Sequence, residues 1–225
     1  MHPALQDIRL IAYDLDGTLV DSAPDLAAAV DRVLEERGLP PAGIERVRAW
    51  VGNGSRKLVA RALRDAEMRG YHASSDQATL EAAHGRFLHH YGQRPCARTV
   101  RYPGVVECLQ AQRERHILQV VITNKPKVFI APILDALEIS GMFALTLGGD
   151  SLTEKKPHPA PLLFAAQRLA LEPRQCLMIG DSRHDIHAGQ AAGFRTLAVP
   201  YGYNHGEPVA DSHPDWMVET LEELV

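Results

Sequence analysis

The sequence has little cysteine, few aromatic residues and no long hydrophobic run, and these shortages exclude several classes of protein. Only 3 of the 225 residues are cysteine, and no two stand in a Cys-x-x-Cys pair, which argues against a disulfide framework or a zinc ribbon. No apolar run approaches the roughly 20 residues that a membrane-spanning helix needs. The N-terminal segment is polar and does not resemble a secretory signal, so we expect a cytoplasmic protein without a membrane partner.

An excess of positive charge is missing as well. The 24 lysines and arginines stand against 28 aspartates and glutamates, which gives a net charge of −4 and argues against a general affinity for nucleic acid. Hydrophobic residues make up 45% and charged residues 23% of the chain, which is typical of a compact soluble protein. The length suits one domain, or one domain that carries a smaller one.

Short apolar runs recur along the chain, and most of them end in small or acidic residues. They are Leu10–Tyr13, Leu118–Ile122, Leu145–Leu147, Cys176–Ile179 and Thr196–Val199. Runs that are apolar on consecutive residues are typical of strands buried on both faces of a parallel sheet. Helical spacings fall between them, over Val105–Gln112, Val128–Leu137, Pro161–Leu171 and Ile186–Ala192. The alternation predicts an α/β fold with a doubly wound, Rossmann-like parallel sheet, in which ligands bind beyond the carboxyl ends of the strands.

The stretch from about Val20 to Thr99 interrupts this alternation, because it contains no convincing strand pattern. A helix is predicted to begin at Ser22, whose hydroxyl is expected to cap it, and Ile44–Trp50, Ser55–Ala66 and Leu80–Tyr91 are helical in pattern too. The interval is too long for a simple crossover. We therefore predict a helical domain over residues 20–97, inserted into a core of residues 1–19 and 98–225, where it would cover the site as a lid does.

The sharpest chemical signal is the segment Asp14-Leu-Asp16-Gly17-Thr18 at the end of the first apolar run. Two carboxylates two positions apart at a strand end can address the same space. One can act as a covalent nucleophile and the other as a general acid and base, while Gly17 permits a tight turn. The alternative is a surface turn with two solvated acids.

A second acidic segment, Gly180-Asp181-Ser182-Arg-His-Asp185, follows another predicted strand. Carboxylates from two strand ends form an oxygen-rich site suited to Mg²⁺. The alternative for Asp181 is a helix N-cap, and capping or orientation of a neighbour is a rival role for Asp185.

Two further segments carry groups that suit phosphate. Thr123 and Asn124 follow the strand Leu118–Ile122, where a hydroxyl, an amide and backbone N–H groups can hold phosphate oxygens. Lys156 stands in Lys155-Lys156-Pro-His-Pro159, where the prolines keep the lysine outside a helix so that it can neutralise negative charge. An ordinary turn and a solvated lysine pair are the alternatives.

Together these four motifs, in this order, resemble those of the haloacid dehalogenase superfamily. The resemblance implies that Asp14 takes the phosphoryl group as an aspartyl-phosphate, that Asp16 serves as acid and then as base, and that Lys156 stabilises Asp14 and the transferring group. It also implies a cap domain in the helical insertion and an Mg²⁺ cofactor.

The same resemblance assigns the remaining roles. It implies that the metal ligands and the phosphate-binding residues lie at one edge of the sheet. The metal ligands would be Asp14, the main-chain carbonyl of Asp16 and Asp181, with Asp185 and Ser182 in support. The phosphate-binding residues would be Thr123, Asn124, Gly17 and Thr18.

Finer motifs resemble those of phosphoglycolate phosphatases. They are Val20-Asp-Ser-Ala-Pro-Asp-Leu26, Val51-Gly-Asn-Gly54, Thr123-Asn-Lys-Pro126, Lys156-Pro-His-Pro159 and Tyr201-Gly-Tyr-Asn204. The expected partner is thus a small phosphorylated metabolite, foremost 2-phosphoglycolate, and the expected assembly is a monomer or small homo-oligomer. N-acetylmuramic acid 6-phosphate and sugar phosphates stay open as substrates, and a phosphosugar mutase or a non-catalytic binding module is less favoured.

Two expectations concern how the insertion reads the substrate. The glycine-rich segment Gly52–Gly54 is either a loop facing the site or a plain turn between helices. Arg56 and Lys57 either meet a substrate carboxylate or are solvated charges on a helix, and the second interpretation is favoured.

Overall fold

The computed structural model describes residues 2–225, which form eight strands and eight α-helices. Strands β1 to β8 are Leu10–Tyr13, Val20–Asp21, Val100–Arg101, Leu118–Ile122, Leu145–Leu147, Cys176–Gly180, Arg195–Ala198 and Trp216–Met217. Helices α1 to α8 are Ala23–Glu35, Ile44–Arg48, Ser55–Met68, Gln77–Gln93, Val105–Glu114, Ile130–Ala136, Ala160–Arg168 and Arg183–Ala192.

Six strands form one parallel sheet in the order β5-β4-β1-β6-β7-β8. All five predicted strands are present, and β1, β4 and β5 have the predicted bounds. Strands β4 and β5 are added on one side of β1, and strands β6, β7 and β8 are then added on its other side. A switch of this kind opens a crevice beyond the strand ends. The predicted α/β class with a doubly wound parallel sheet is confirmed.

The sheet is buried on both faces because successive side chains of a strand point to opposite sides. In β1, Ile11 and Tyr13 join a cluster that includes Leu109 of α5, whereas Leu10 and Ala12 join another that includes Leu162 of α7. Uninterrupted apolar runs are therefore required at these strands, and this is why the pattern of the sequence identified them.

Helices α1 to α4 lie between β2 and β3 in the sequence and form a helical layer of their own. Their apolar faces share one cluster, to which Phe129, Ile133 and Tyr203 from outside the insertion also contribute. The division of the chain at residues 19/20 and 97/98 stays a prediction.

The expectation of no strand from about Val20 to Thr99 was wrong at the start of this stretch, where Val20–Asp21 forms β2. Val20 and Asp21 pair antiparallel with Arg101 and Val100, forming a two-stranded ribbon at the two ends of the insertion. A two-residue strand is too short to produce a periodic signal in the sequence.

No helix within the described range 2–225 combines the length and the apolar character needed to cross a membrane.

Candidate active site

Three of the predicted site residues lie at the carboxyl ends of the three neighbouring strands β4, β1 and β6. Asp14 directly follows β1, Thr123 follows β4 and Asp181 follows β6. The backbone of the first two continues the sheet ladder, since Asp14 N donates to Ile179 O and Thr123 N to Leu147 O, both at 3.0 Å. The parallel sheet therefore gathers side chains that are far apart in sequence.

Asp14 is buried and pairs with Lys156 through only one of its carboxylate oxygens. Lys156 Nζ donates to Asp14 Oδ1 at 2.8 Å and to Asp185 Oδ1 at 2.6 Å. Within residues 2–225, Asp14 Oδ2 accepts no hydrogen bond. Lys156 therefore neutralises part of the negative charge of Asp14 and leaves the lone pairs of Oδ2 available to a ligand.

The protonation of this pair reflects burial and charge together. Burial raises the pKa of Asp14 to about 6, against the lowering effect of Lys156. Burial alone would lower the pKa of Lys156, but the carboxylates of Asp14 and Asp185 raise it above its usual value. Lys156 is therefore a fixed cation at neutral pH.

Asp14, Asp181 and Asp185 form a buried cluster in which one oxygen from each lies within 4.8 Å of the others. Burial, followed by the charges of Asp185 and Asp14, raises the pKa of Asp181 well above its usual value. The cluster is short of positive charge and offers only oxygen donors, as Mg²⁺ prefers. The residues therefore fit a divalent cation.

Asp181 is held in place by a hydroxyl and a backbone N–H group. Thr18 Oγ1 donates to Asp181 Oδ1 at 2.6 Å, and Tyr203 N donates to Oδ2 at 2.6 Å. Gly17 packs against this carboxylate, and a Cβ there would lie 2.3 Å from Asp181 Oδ2. The side chain of Thr18 is therefore engaged by the acidic cluster, and its predicted contact with phosphate stays untested, as does that of Gly17.

Asp185 makes the contacts of a helix cap and of a group that orients its neighbour, the rival roles to metal binding that the sequence left open. Its Oδ2 accepts from Ser182 N at 3.1 Å and Ser182 Oγ at 2.7 Å, which forms the capping box of α8. Its Oδ1 accepts from Lys156. Asp185 thus orients the lysine and caps the helix, and Ser182 rather than Asp181 is the N-cap residue.

Asp16 lies in a different hydrogen-bonding environment from Asp14. Lys125 Nζ donates to Asp16 Oδ1 at 2.8 Å and to Oδ2 at 3.1 Å, and Ser22 Oγ donates to Oδ1 at 2.5 Å. The prediction that the Ser22 hydroxyl caps α1 was wrong, because the side chain is turned towards Asp16, to which it donates, and its oxygen accepts from no backbone N–H group of the helix.

Lys125 is the residue that the sequence analysis missed. It is buried against Asp16, with its Nζ 4.7 Å from the centre of the Tyr91 ring on α4. Burial would lower the pKa of Lys125, but Asp16 raises it above its usual value, so the side chain is a cation at neutral pH. The available signal was its position, directly after Asn124 at a strand end.

Asn124 connects the segment that carries Lys156 with the helical insertion. Its Nδ2 donates to Lys156 O at 3.0 Å and to Gly52 O at 3.1 Å. Its Oδ1 is buried and has no partner within residues 2–225. Thr123 Oγ1 accepts from Lys125 N at 3.2 Å, so this turn is internally braced.

A cavity opens between the strand ends and the helical layer. Asp14, Asp16, Thr123 and Asn124 line it from the sheet side. Its opposite wall comes from the insertion and includes Gly52, Gly54, Leu58, Phe87 and Tyr91.

The two expectations about the insertion have different outcomes. Gly52 and Gly54 border the cavity, so their loop faces the site. Arg56 instead pairs with Glu81 at 2.8 Å on the exposed surface, which agrees with the solvated alternative.

Comparison with known proteins agrees with this architecture. The family model described as haloacid dehalogenase-like hydrolase matches residues 11–199. A phosphoglycolate phosphatase of Pseudomonas putida is 46% identical over 96% of this chain and 78% of its own length. One from Mannheimia succiniciproducens is 43% identical over 96% of both chains. A crystal structure described as a predicted phosphoglycolate phosphatase from Haemophilus somnus superposes with a TM-score of 0.92 and 38% identity, covering 97% of this chain and 96% of the other.

Proposed function

Because the chain belongs to the haloacid dehalogenase-like hydrolase family, we propose that it hydrolyses small phosphate monoesters through an aspartyl-phosphate on Asp14. The relatives, which are named phosphoglycolate phosphatases, confirm the prediction that the chain is a phosphatase. The observation that carries the mechanism is the contrast between the two carboxylates. Asp14 has one oxygen on Lys156 and one without a partner among residues 2–225, whereas both oxygens of Asp16 are bonded.

The first half of the reaction uses Asp14 Oδ2 as the nucleophile. It attacks phosphorus, and the bond between phosphorus and the ester oxygen breaks. Asp16, which lines the same cavity, gives the departing oxygen the proton that it took from water in the second half of the preceding turnover. Lys156 stays on Asp14 Oδ1 and offsets the negative charge that a dianionic phosphate brings.

The second half releases phosphate. Asp16 takes a proton from water, the oxygen of that water bonds to phosphorus, and the bond to Asp14 breaks. Thr123, through its hydroxyl, and Asn124, through its backbone N–H group, are placed at the end of β4 to hold the phosphoryl oxygens, because both side-chain hydrogens of Asn124 are already donated.

Mg²⁺ is the cation we propose for the acidic cluster, where it would neutralise charge on Asp14 and on the phosphate. Asp14 and Asp181 would hold it together with the main-chain carbonyl of Asp16, while Asp185 is already engaged by Lys156 and Ser182. Four buried carboxylates face two buried lysines in this region, so the added charge suits the site.

We propose that residues 20–97 act as a cap over the cavity. Asp25 of α1 accepts from Arg98 N at 3.0 Å and from Thr99 N at 2.8 Å, which fastens the end of the insertion to its beginning. The ribbon of β2 and β3 lies at the same place. A short, fastened connection of this kind suits a rigid body that moves about one hinge.

2-Phosphoglycolate is the substrate we propose first, on the strength of the relatives' names and identity. The three cysteines are free thiols, which suits the reducing cytoplasm that we propose as its location.

Phosphate release tests the proposal. The panel is 2-phosphoglycolate, N-acetylmuramic acid 6-phosphate and glucose 6-phosphate, each with Mg²⁺ and with EDTA. We expect Mg²⁺-dependent release with preference for 2-phosphoglycolate, and none from Asp14→Asn, because an amide cannot form the aspartyl-phosphate. Asp135→Asn, which removes an exposed acid, serves as the matched control.

Two results would contradict parts of the proposal. Preference for another ester would replace the substrate and keep the mechanism. Folded wild-type protein that releases no phosphate from any ester, or that isomerises glucose 1-phosphate without releasing phosphate, would defeat the phosphatase.

A further inference from the structure

Lys125 is a buried cation to which the four family motifs assign no role. Its side chain is 3% exposed, and its carboxylate partner within residues 2–225 is Asp16. Burying an ammonium group is costly unless an anion pairs with it. Asp16 offsets this cost, and Lys125 is thereby held as a cation at the cavity wall, where it can meet a second anion.

Lys125 is the one cation among the described residues that line the cavity. The charged residues there are Asp14, Asp16 and Lys125. Lys156 reaches Asp14 from behind the wall and already bridges two carboxylates. An anionic substituent on the substrate, in addition to its phosphate, therefore has one complementary charge to meet.

The position of Lys125 relative to Asp16 indicates the carbon of the substrate to which this anionic group is attached. In the proposed reaction Asp16 contacts the ester oxygen, so the carbon bearing that oxygen lies beside its carboxylate. Lys125 Nζ lies 2.8 Å from Asp16 Oδ1. A carboxylate attached to that same carbon is therefore brought to Lys125 when phosphorus is at Asp14.

The cavity wall offers a second donor for such a carboxylate. Leu26, Leu58, Phe87 and Phe129 make much of this wall apolar. Tyr91, on the same wall, has a buried hydroxyl without a hydrogen-bond partner in residues 2–225. Such a hydroxyl can donate to a carboxylate held by the lysine.

We propose that Lys125 determines substrate specificity by pairing with a carboxylate on the carbon next to the ester oxygen, with the Tyr91 hydroxyl as second donor. The substrate class is thus the phosphate esters of 2-hydroxy acids. The inference rests on the proposed function and deepens it, since it assigns the part of the substrate that the phosphate-binding residues do not contact.

The test compares two esters that differ in this group. Ethyl phosphate carries a methyl group where 2-phosphoglycolate carries a carboxylate. The measured quantity is the ratio of kcat/KM for 2-phosphoglycolate to kcat/KM for ethyl phosphate, in wild type, Lys125→Met and Tyr91→Phe. Lys127→Met is the matched control, because it removes an exposed lysine two positions away.

We expect the ratio to fall about 30-fold or more in Lys125→Met, which is the usual loss for a charge-assisted hydrogen bond. Tyr91→Phe should lower it by roughly 3- to 10-fold. The greater part of both losses should be in KM for 2-phosphoglycolate, and Lys127→Met should leave the ratio unchanged.

Equal losses for both esters would overturn the proposal, since Lys125 would then only hold Asp16. If Lys125→Met does not fold, an unchanged ratio in Tyr91→Phe together with an unchanged ratio in Lys125→Gln, which removes the charge and keeps a polar side chain, overturns it as well. Wild type that favours ethyl phosphate defeats the inference but not the phosphatase, whereas wild type that releases phosphate from neither ester defeats both.

Discussion

Lys156 Nζ lies 2.8 Å from Oδ1 of Asp14, although 142 residues separate the two in the chain. The same nitrogen lies 2.6 Å from Asp185 Oδ1, so one lysine serves two buried carboxylates. Asp181, in the same cluster, has no lysine partner within residues 2–225. The site therefore holds an excess of negative charge in the absence of a cation.

This excess predicts that the metal-free protein loses stability as the pH rises. The pKa of Asp14 is raised from its ordinary value of 3.8 to about 6. Below pH 3.8 both the folded and the unfolded forms hold the proton. As the pH rises from 3.8 towards 6, the unfolded form releases it first, so the contribution of this group to stability is lost over that window.

Thermal unfolding in EDTA between pH 4 and 8 measures the effect. The decline should amount to about 2–3 kcal/mol in the free energy of unfolding for a shift of this size. Asp14→Asn cannot ionise there, so its curve should be flatter than that of wild type. Parallel curves for the two proteins would contradict the electrostatic interpretation.

Asp181→Asn should raise the stability of the metal-free protein and abolish its response to Mg²⁺. The raised pKa of Asp181 shows that its ionised form is costly in the folded state. At pH 8 in EDTA we expect Tm to rise by roughly 3–6 °C, as about 1–2 kcal/mol gives in a protein of this size. Addition of Mg²⁺ should raise the Tm of wild type and not that of the variant. A variant that Mg²⁺ still stabilises would remove Asp181 from the metal site.

Asp16→Asn should separate the two halves of the reaction. With p-nitrophenyl phosphate the leaving group needs no proton, so Asp14 can still be phosphorylated. Release of phosphate then needs a base to take a proton from water, and we expect this step to slow by about 10²- to 10⁴-fold. Stopped-flow absorbance should show a burst of p-nitrophenol followed by a slow steady state. A steady-state rate equal to that of wild type would exclude Asp16 as the base.

The strands were predictable because burial on both faces leaves a strong local signal. Leu10–Tyr13 and Leu118–Ile122 are apolar on nearly consecutive positions, and both have the predicted bounds. The carboxyl ends of parallel strands meet at one edge, so the sequence alone was enough to place Asp14, Thr123 and Asp181 close together. The roles given to these residues remain proposals.

Contacts that depend on which elements pack together could not be predicted in this way. The residues next to Lys125 in the sequence predict only an ordinary lysine in a turn. Its pairing with Asp16 depends on β4 lying beside β1 in the sheet. The hydroxyl of Ser22 has a good local use as a helix cap, but the fold brings a carboxylate within reach. In both residues a long-range partner overrides the local preference.

Gly17→Ala should disable the site through geometry alone. Gly17 has a φ of +97°, and a Cβ there would lie 2.3 Å from Asp181 Oδ2, so the methyl group displaces the carboxylate. Gly38 is the control, because its φ of +67° is positive as well while its Cβ would meet nothing within 4 Å. Each alanine should cost about 1–2 kcal/mol in stability from that strain. Only Gly17→Ala should also lose activity, by about 100-fold or more, together with Mg²⁺-induced stabilisation, because movement of about 1 Å suffices for such a loss. Equal activity in the two variants would show that the packing of Gly17 on Asp181 does not position the acidic cluster.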